Sequence, residues 1–234
     1  MTEPKTIQWK RLAVEVAAIV ISILMAFWID AWWQDRSDQI RLKEYLSQVR
    51  ADTLDNQHRL TEALQLEKGQ QGAVQEILVA LRSPVPMTLD SAREWTQLEP
   101  GFIWYSDPRL LDGAITALFA TGDINLVEDT RVKTSLTGYL GQLKADWNEF
   151  DRNVSQHLIH KDELLRVFEL ARVPGTESDK DELANELLSI QNDKTAAVVF
   201  RLLEKNVSSR IWYLEQILAA TEELSSQLNT QSDR

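Results

Sequence analysis

The chain contains no cysteine. That excludes disulfides, thiolate metal sites and a cysteine nucleophile, and it suits a reducing or an oxidising compartment equally. Glycine and proline are scarce, eight and six in 234 residues, and they cluster at a few places, as long helices rather than a turn-rich β protein would have them. Basic residues are outnumbered 25 to 36, for a net charge of −11. An acidic chain without a Lys/Arg stripe repels phosphate backbones, so nucleic acid is not an expected partner. The deficit is uneven. Over residues 1–36, Lys5, Lys10, Arg11 and Arg36 balance Glu3, Glu15, Asp30 and Asp35, and the excess acid lies in 37–234.

Signatures of chemistry are also missing. There is no GxSxG elbow, Walker glycine loop or GxGxxG fingerprint. Carboxylates fall in runs with helix-surface character such as TESDKDELANE, and nothing in the sequence gives them the pocket that a general acid or base requires. The three histidines are His58, His157 and His160. His157 and His160, three apart in HLIHKDE, share a helix face and are the candidate metal ligands. They lack the i,i+4 spacing and internal glutamate of HExxH, and on an acidic helix they read as surface decoration. Gly138 and Gly141 in TGYLGQL fit close helix packing better than phosphate binding. The expectation is a non-enzymatic protein with no cofactor, no catalytic residue and no bound metal.

What is present is concentrated near the start. Leu12 to Trp33 reads LAVEVAAIVISILMAFWIDAWW, with only Glu15 and Asp30 charged. Twenty-two residues at about 1.5 Å each span roughly 33 Å, enough for a hydrocarbon core of about 30 Å. Lys10 and Arg11 precede the run, as the positive-inside rule expects of a cytoplasmic flank. Trp9 stands at one border and Trp28, Trp32 and Trp33 at the other, as in interfacial aromatic belts. The bulky exit argues against signal cleavage, and a run apolar on every side does not suit an amphipathic surface helix. Residues 1–11 are therefore expected in the cytoplasm, 12–33 as a transmembrane helix, and the body outside, in a bacterium the periplasm. Ala18, Ser22 and Ala26 recur every four residues, Asp30 extends the row, and Glu15 lies beside it. Small residues so spaced let helices approach closely in lipid, and ionisable groups within a span are costly and usually paired. The alternative is that Glu15 and Asp30 simply reach headgroups and water at the two ends of the span; otherwise these five residues are the candidate helix-association face.

The rest of the pattern is helical throughout, so the expected fold is all-α: a transmembrane helix continuing into a long helix, then an antiparallel helical bundle. Ile40, Leu42, Tyr45, Leu46, Val49, Leu54, Leu60 and Leu64 place a stalk helix over 34–82, loosened near Gly69 and Gly72. Residues 83–107 read as an irregular aromatic loop with a short helix candidate, Asp90 to Leu98, and the run FIWY (102–105). A bundle is expected over 108–226. Its first helix starts at Ser106-Asp107-Pro108 and ends at Thr121-Gly122. A long one is capped by Asp129 and runs to about Arg172, a short one covers Asp181 to Ile190, and the last runs from about Asp193 to Leu224. Residues 227–234 read as a frayed polar tail.

The segments EVAAIVISILMAFWIDAWWQDR, LKEYLSQVRADTLDN and LFATGDINLVEDTRVKTSLTGYL resemble a group of bacterial single-pass membrane proteins of unknown function. The resemblance spans residues 10–56 and 110–140, with Tyr45-Leu46 and Thr121-Gly122 to Tyr139 at the matching places. It implies membrane anchoring and a helical body, and brings no activity.

The functional expectation is a membrane-anchored interaction or accessory protein. Its partners would be the lipid bilayer and either further copies of itself or another membrane protein. The alternative is a periplasmic sensory or small-ligand-binding module using the 102–105 segment. About eleven residues before the span leave little room for a cytoplasmic output, so such a sensor would act through a partner.

Overall fold

A computed structural model describes residues 9–96, 105–167, 184–185 and 188–232. The regular structure among these residues is all helical, with no strand. The first helix, α1 (Trp9–Leu81), is 73 residues long and about 110 Å from end to end. Gly69 and Gly72 do not loosen it. It closes with tightened turns, Arg82 N donating to Val79 O and Ser83 N to Ala80 O, ahead of Pro84, which cannot continue a helix.

Helix α2 (Leu89–Thr96) starts with a reciprocal cap. Ser91 N donates to Thr88 Oγ1 at 3.3 Å and Thr88 N to Ser91 Oγ at 3.1 Å, satisfying two backbone donors that a helix start leaves open. Helix α3 (Gly113–Ala120) begins five residues after the proline that should have opened it. Residues 105–112 are non-helical instead because their polar groups bond to α1, and Arg109 is held at φ 43°.

Gly122 follows α3 at φ 80° in the left-handed conformation expected of it. A short 3-10 turn (Asp123–Leu126) leads to α4 (Thr130–Val167). Asp129 caps α4, its Oδ1 accepting from Arg131 N at 2.8 Å. The expected end near Arg172 lies outside the described residues, as does most of the short helix expected over 181–190. The last helix, α5 (Lys194–Ser232), is capped by Asp193, whose Oδ1 accepts from Thr195 N at 2.6 Å and Ala196 N at 3.1 Å. It does not fray at 227. It runs on to Ser232 because Leu228 is buried in the core.

Helix α5 packs along both α1 and α4. Bonds between α1 and α5 join Glu67 to Arg210, Gln71 to Ser208 and Gln75 to Glu204, so numbers rise along α1 as they fall along α5. One core cluster gathers Val49, Leu60 and Leu64 of α1 with Leu136 and Phe150 of α4 and Leu214 and Ile217 of α5. A second gathers Val74, Ile77 and Leu81 with Ala92 of α2 and Phe200 and Leu203 of α5. The distal half of α1 is thus a wall of the core rather than a free-standing stalk, with each large buried side chain contributing about 1.5–3 kcal/mol. Gln191 pins the turn after α1, accepting from Met87 N at 2.8 Å and donating to Val85 O at 2.7 Å.

Candidate membrane segment and the buried polar seam

The two halves of α1 have opposite surroundings. Every side chain from Ala13 to Ser37 is exposed, whereas inward-facing side chains from Val49 onward are buried. Thirteen large apolar side chains between Val14 and Trp33 stand at 48% exposure or more. Leaving them in water forgoes on the order of 20 kcal/mol of transfer free energy, at about 1.5–3 kcal/mol per large side chain. Of the described helices this is the one long and apolar enough to cross a membrane.

Residues singled out from the sequence fall as follows. Trp28 and Trp33 are 71% and 67% exposed, and Trp9 and Trp32 are exposed with them. The Trp32 and Trp33 rings stand 6.3 Å apart, tilted by 53°. Lys10 and Arg11 belong to α1, but their side chains lie outside the described residues. Glu15, Ala18, Ala26 and Asp30 are exposed. Ser22 Oγ donates to Ala18 O at 2.8 Å, so this hydroxyl is satisfied within its own helix and presents a small, largely apolar bump.

Two expectations are corrected here. His157 is not surface decoration: it is fully buried in α4, because the helix turns that position toward the core with Phe150 and Val154. The His160 side chain lies outside the described residues. Among the described residues no three His, Cys, Asp or Glu side chains gather as a metal site. Nor does close packing explain Gly138 and Gly141: a Cβ added at either would meet nothing within 4 Å. Both sit on the exposed side of α4.

The most developed polar chemistry lies along the α1–α5 seam. Glu67 and Arg210 are both fully buried. Arg210 donates to Glu67 Oε2 through Nε at 3.0 Å and Nη2 at 2.8 Å. Ser106 donates to Glu67 Oε1 through its backbone N at 3.0 Å and its hydroxyl at 2.8 Å. Arg210 Nη2 also reaches Gln70 Oε1 at 3.3 Å. One carboxylate therefore ties α1, α5 and the chain entering α3 together.

A second node sits nearer the exposed half of α1. Asn56 accepts from Leu111 N and donates to Leu111 O, both at 2.8 Å, and bonds the Tyr139 hydroxyl at 3.2 Å. Burial raises the Tyr139 pKa, since phenolate is costly out of water. Closer still to the exposed half, Arg41 grips Asp123 through Nε at 2.9 Å and Nη2 at 3.0 Å, and Thr121 Oγ1 donates to the same carboxylate at 2.9 Å. The bonds from Arg41 hold the Asp123 carboxyl below its ordinary value, and those from Asp123 raise the Arg41 guanidinium.

None of these polar nodes was singled out from the sequence, although a signal exists. Asn56, Leu60, Leu64 and Glu67 recur at steps of four, four and three, as do Leu203, Asn206, Arg210 and Leu214 at three, four and four. Polar residues that keep an apolar stripe's phase are core residues.

Against known proteins, no family model matches the chain, and neither a curated protein nor a solved structure matches it.

Proposed function

We propose that this chain is a membrane-anchored, non-enzymatic interaction protein. In this reading α1 crosses a bacterial inner membrane over about Leu12–Trp33, with Lys10 and Arg11 on the cytoplasmic side. The helices beyond form an antiparallel bundle in the periplasm. The observation that carries it is the continuity of α1: one unbroken helix is wholly exposed and uncharged from Val16 to Ile29, yet builds the core from Val49 on. A bilayer covers the first part and leaves the second in water.

The body's polar groups are spent on holding helices together. Glu67, Asn56 and Asp123 each bond backbone or arginine partners within the fold, an arrangement that suits a rigid tethered module rather than a catalyst. Such a module acts by what it touches, either further copies or another membrane protein, through the face of Glu15, Ala18, Ser22, Ala26 and Asp30. Replacing Ala18 and Ser22 together with Leu should weaken association in a membrane two-hybrid assay, and an unchanged signal removes that face from the account. Purification of the full chain in mild detergent separates this reading from a sensory one. A stoichiometric protein partner or a homo-oligomer is expected, whereas a monomer carrying a small molecule would favour the sensor.

A further inference from the structure

The exposed side of α1 does not stop where the apolar run ends. Trp33, Ile40, Ser47 and Leu54 recur every seven residues. All four are exposed, Ile40 and Leu54 at 49% and 51%. At about 3.6 residues per turn, Ile40 stands about five turns beyond Ser22 and Leu54 about ten turns beyond Ala18. The stripe therefore continues the face of Ala18, Ser22 and Ala26 into the body. The core lies on the other side of the helix, with α4 and α5: buried Val49 stands about half a turn round from Ile40. Ile40 and Leu54 lie about 10 and 30 Å beyond Trp33 along the helix, where hydrocarbon no longer covers them. Past Leu54 the same face turns polar, with His58 and Gln65 exposed on it.

We propose that this stripe docks a second copy of the chain, parallel and related by a two-fold axis along the helices, so that the contact in the membrane runs on as a short coiled coil to Leu54. The proposal rests on the anchored reading above and names its partner as the chain itself. Apolar positions at seven-residue spacing are those of helices wound round each other. The charges choose the occupant. Arg36, Lys43 and Arg50 each follow a stripe residue by three positions and lie about 60° to one side of it, whereas Asp30 and Glu44 each precede one by three and lie about 60° to the other. Arg41, the cation nearest that acidic flank, is held by Asp123. A half-turn about an axis along the helices lays the basic flank of one copy on the acidic flank of the other, with Lys43 beside the partner's Glu44. An antiparallel pair would lay like charges together, and two copies anchored the same way in one bilayer are parallel. One chain thus carries both halves of the complementarity.

Single cysteines in this cysteine-free chain test it in native membranes. Under mild oxidation Ile40→Cys, Ser47→Cys and Leu54→Cys should give disulfide-linked dimers, because the bond needs Cα atoms within about 7 Å of each other. Gln48→Cys, exposed but about 100° off the stripe, should not. In the Ser47→Cys chain, Lys43→Glu or Glu44→Lys should each lower the dimer yield roughly threefold or more, since two pairs turn from attraction to repulsion. The two changes together should restore it. A membrane-bound chain that cross-links no better at the three stripe positions than in Gln48→Cys, or a double charge variant no better than either single one, would overturn the second copy as partner and leave membrane anchoring standing. Recovery of the chain in the soluble fraction would overturn both.

Discussion

Glu67 and Arg210 lie 143 residues apart in sequence, and Nη2 and Nε of the guanidinium converge on one carboxylate oxygen, Glu67 Oε2, at 2.8 and 3.0 Å with no solvent on either side chain. Their value lies in what each prevents. A buried charge without its partner is far worse than no charge, whereas a pair replaced by apolar groups is often neutral. Arg210→Met alone should destabilise the fold by about 3–5 kcal/mol, and Glu67→Leu with Arg210→Met should recover only part of that loss, because the two Ser106 donors are then left without Glu67 Oε1. Denaturant titration of the two variants checks it. A double variant as unstable as the single one would mean that the pair contributes through its own attraction.

Asn56 makes the second seam contact, closing both backbone groups of Leu111. Asn56→Ala should cost about 1–2 kcal/mol, because the half-buried N–H and C=O of Leu111 lose their partner together. It should also raise amide exchange at residues 109–112 ahead of the helices around them. Hydrogen exchange resolved by residue would show this.

Gly138 and Gly141 have open space where a side chain would stand. Glycine inside a helix is less stable than alanine by about 0.5–1 kcal/mol. Gly138→Ala and Gly141→Ala should therefore each stabilise the chain by that amount in thermal melts. Should these glycines serve close contact with another molecule, the same variants would stabilise the chain while weakening its assembly in detergent.

Acid should weaken the fold where Arg41 holds Asp123. The folded carboxyl sits below the ordinary value of 3.8, so its contribution is complete above that pH and is lost as pH falls through the folded value. Tyr139 works in the other direction. Its folded pKa is raised above 10.0, so its contribution is complete below pH 10 and fades as pH climbs toward the folded value. Asp123→Asn should flatten the acid limb of a stability–pH profile, and Tyr139→Phe the alkaline limb.

Much of this architecture could be read from spacing. Thr121-Gly122, Asp129 and Asp193 end or open helices where small capping and left-handed residues predict. Ser106-Asp107-Pro108 misled for a long-range reason: a local capping signal there competes with Glu67, 39 residues away, which takes both donors of Ser106. The polar tail after 227 misled similarly, since Leu228 anchors it. Polarity also hid the seam. Asn56, Glu67 and Arg210 look like solvated surface one by one, and only their phase with neighbouring leucines places them inside. The exposed apolar half of α1 was legible because composition alone defines it.

The account rests on α1 crossing a bilayer with the body on the far side. The absence of cysteine makes this directly measurable with single substitutions and a membrane-impermeant maleimide applied to spheroplasts. Asn148→Cys, on the exposed side of α4, should be labelled in intact spheroplasts, and Thr6→Cys only after the membrane is permeabilised. Labelling of Thr6→Cys alone in intact spheroplasts, or recovery of the chain in the soluble fraction after alkaline carbonate, would contradict it.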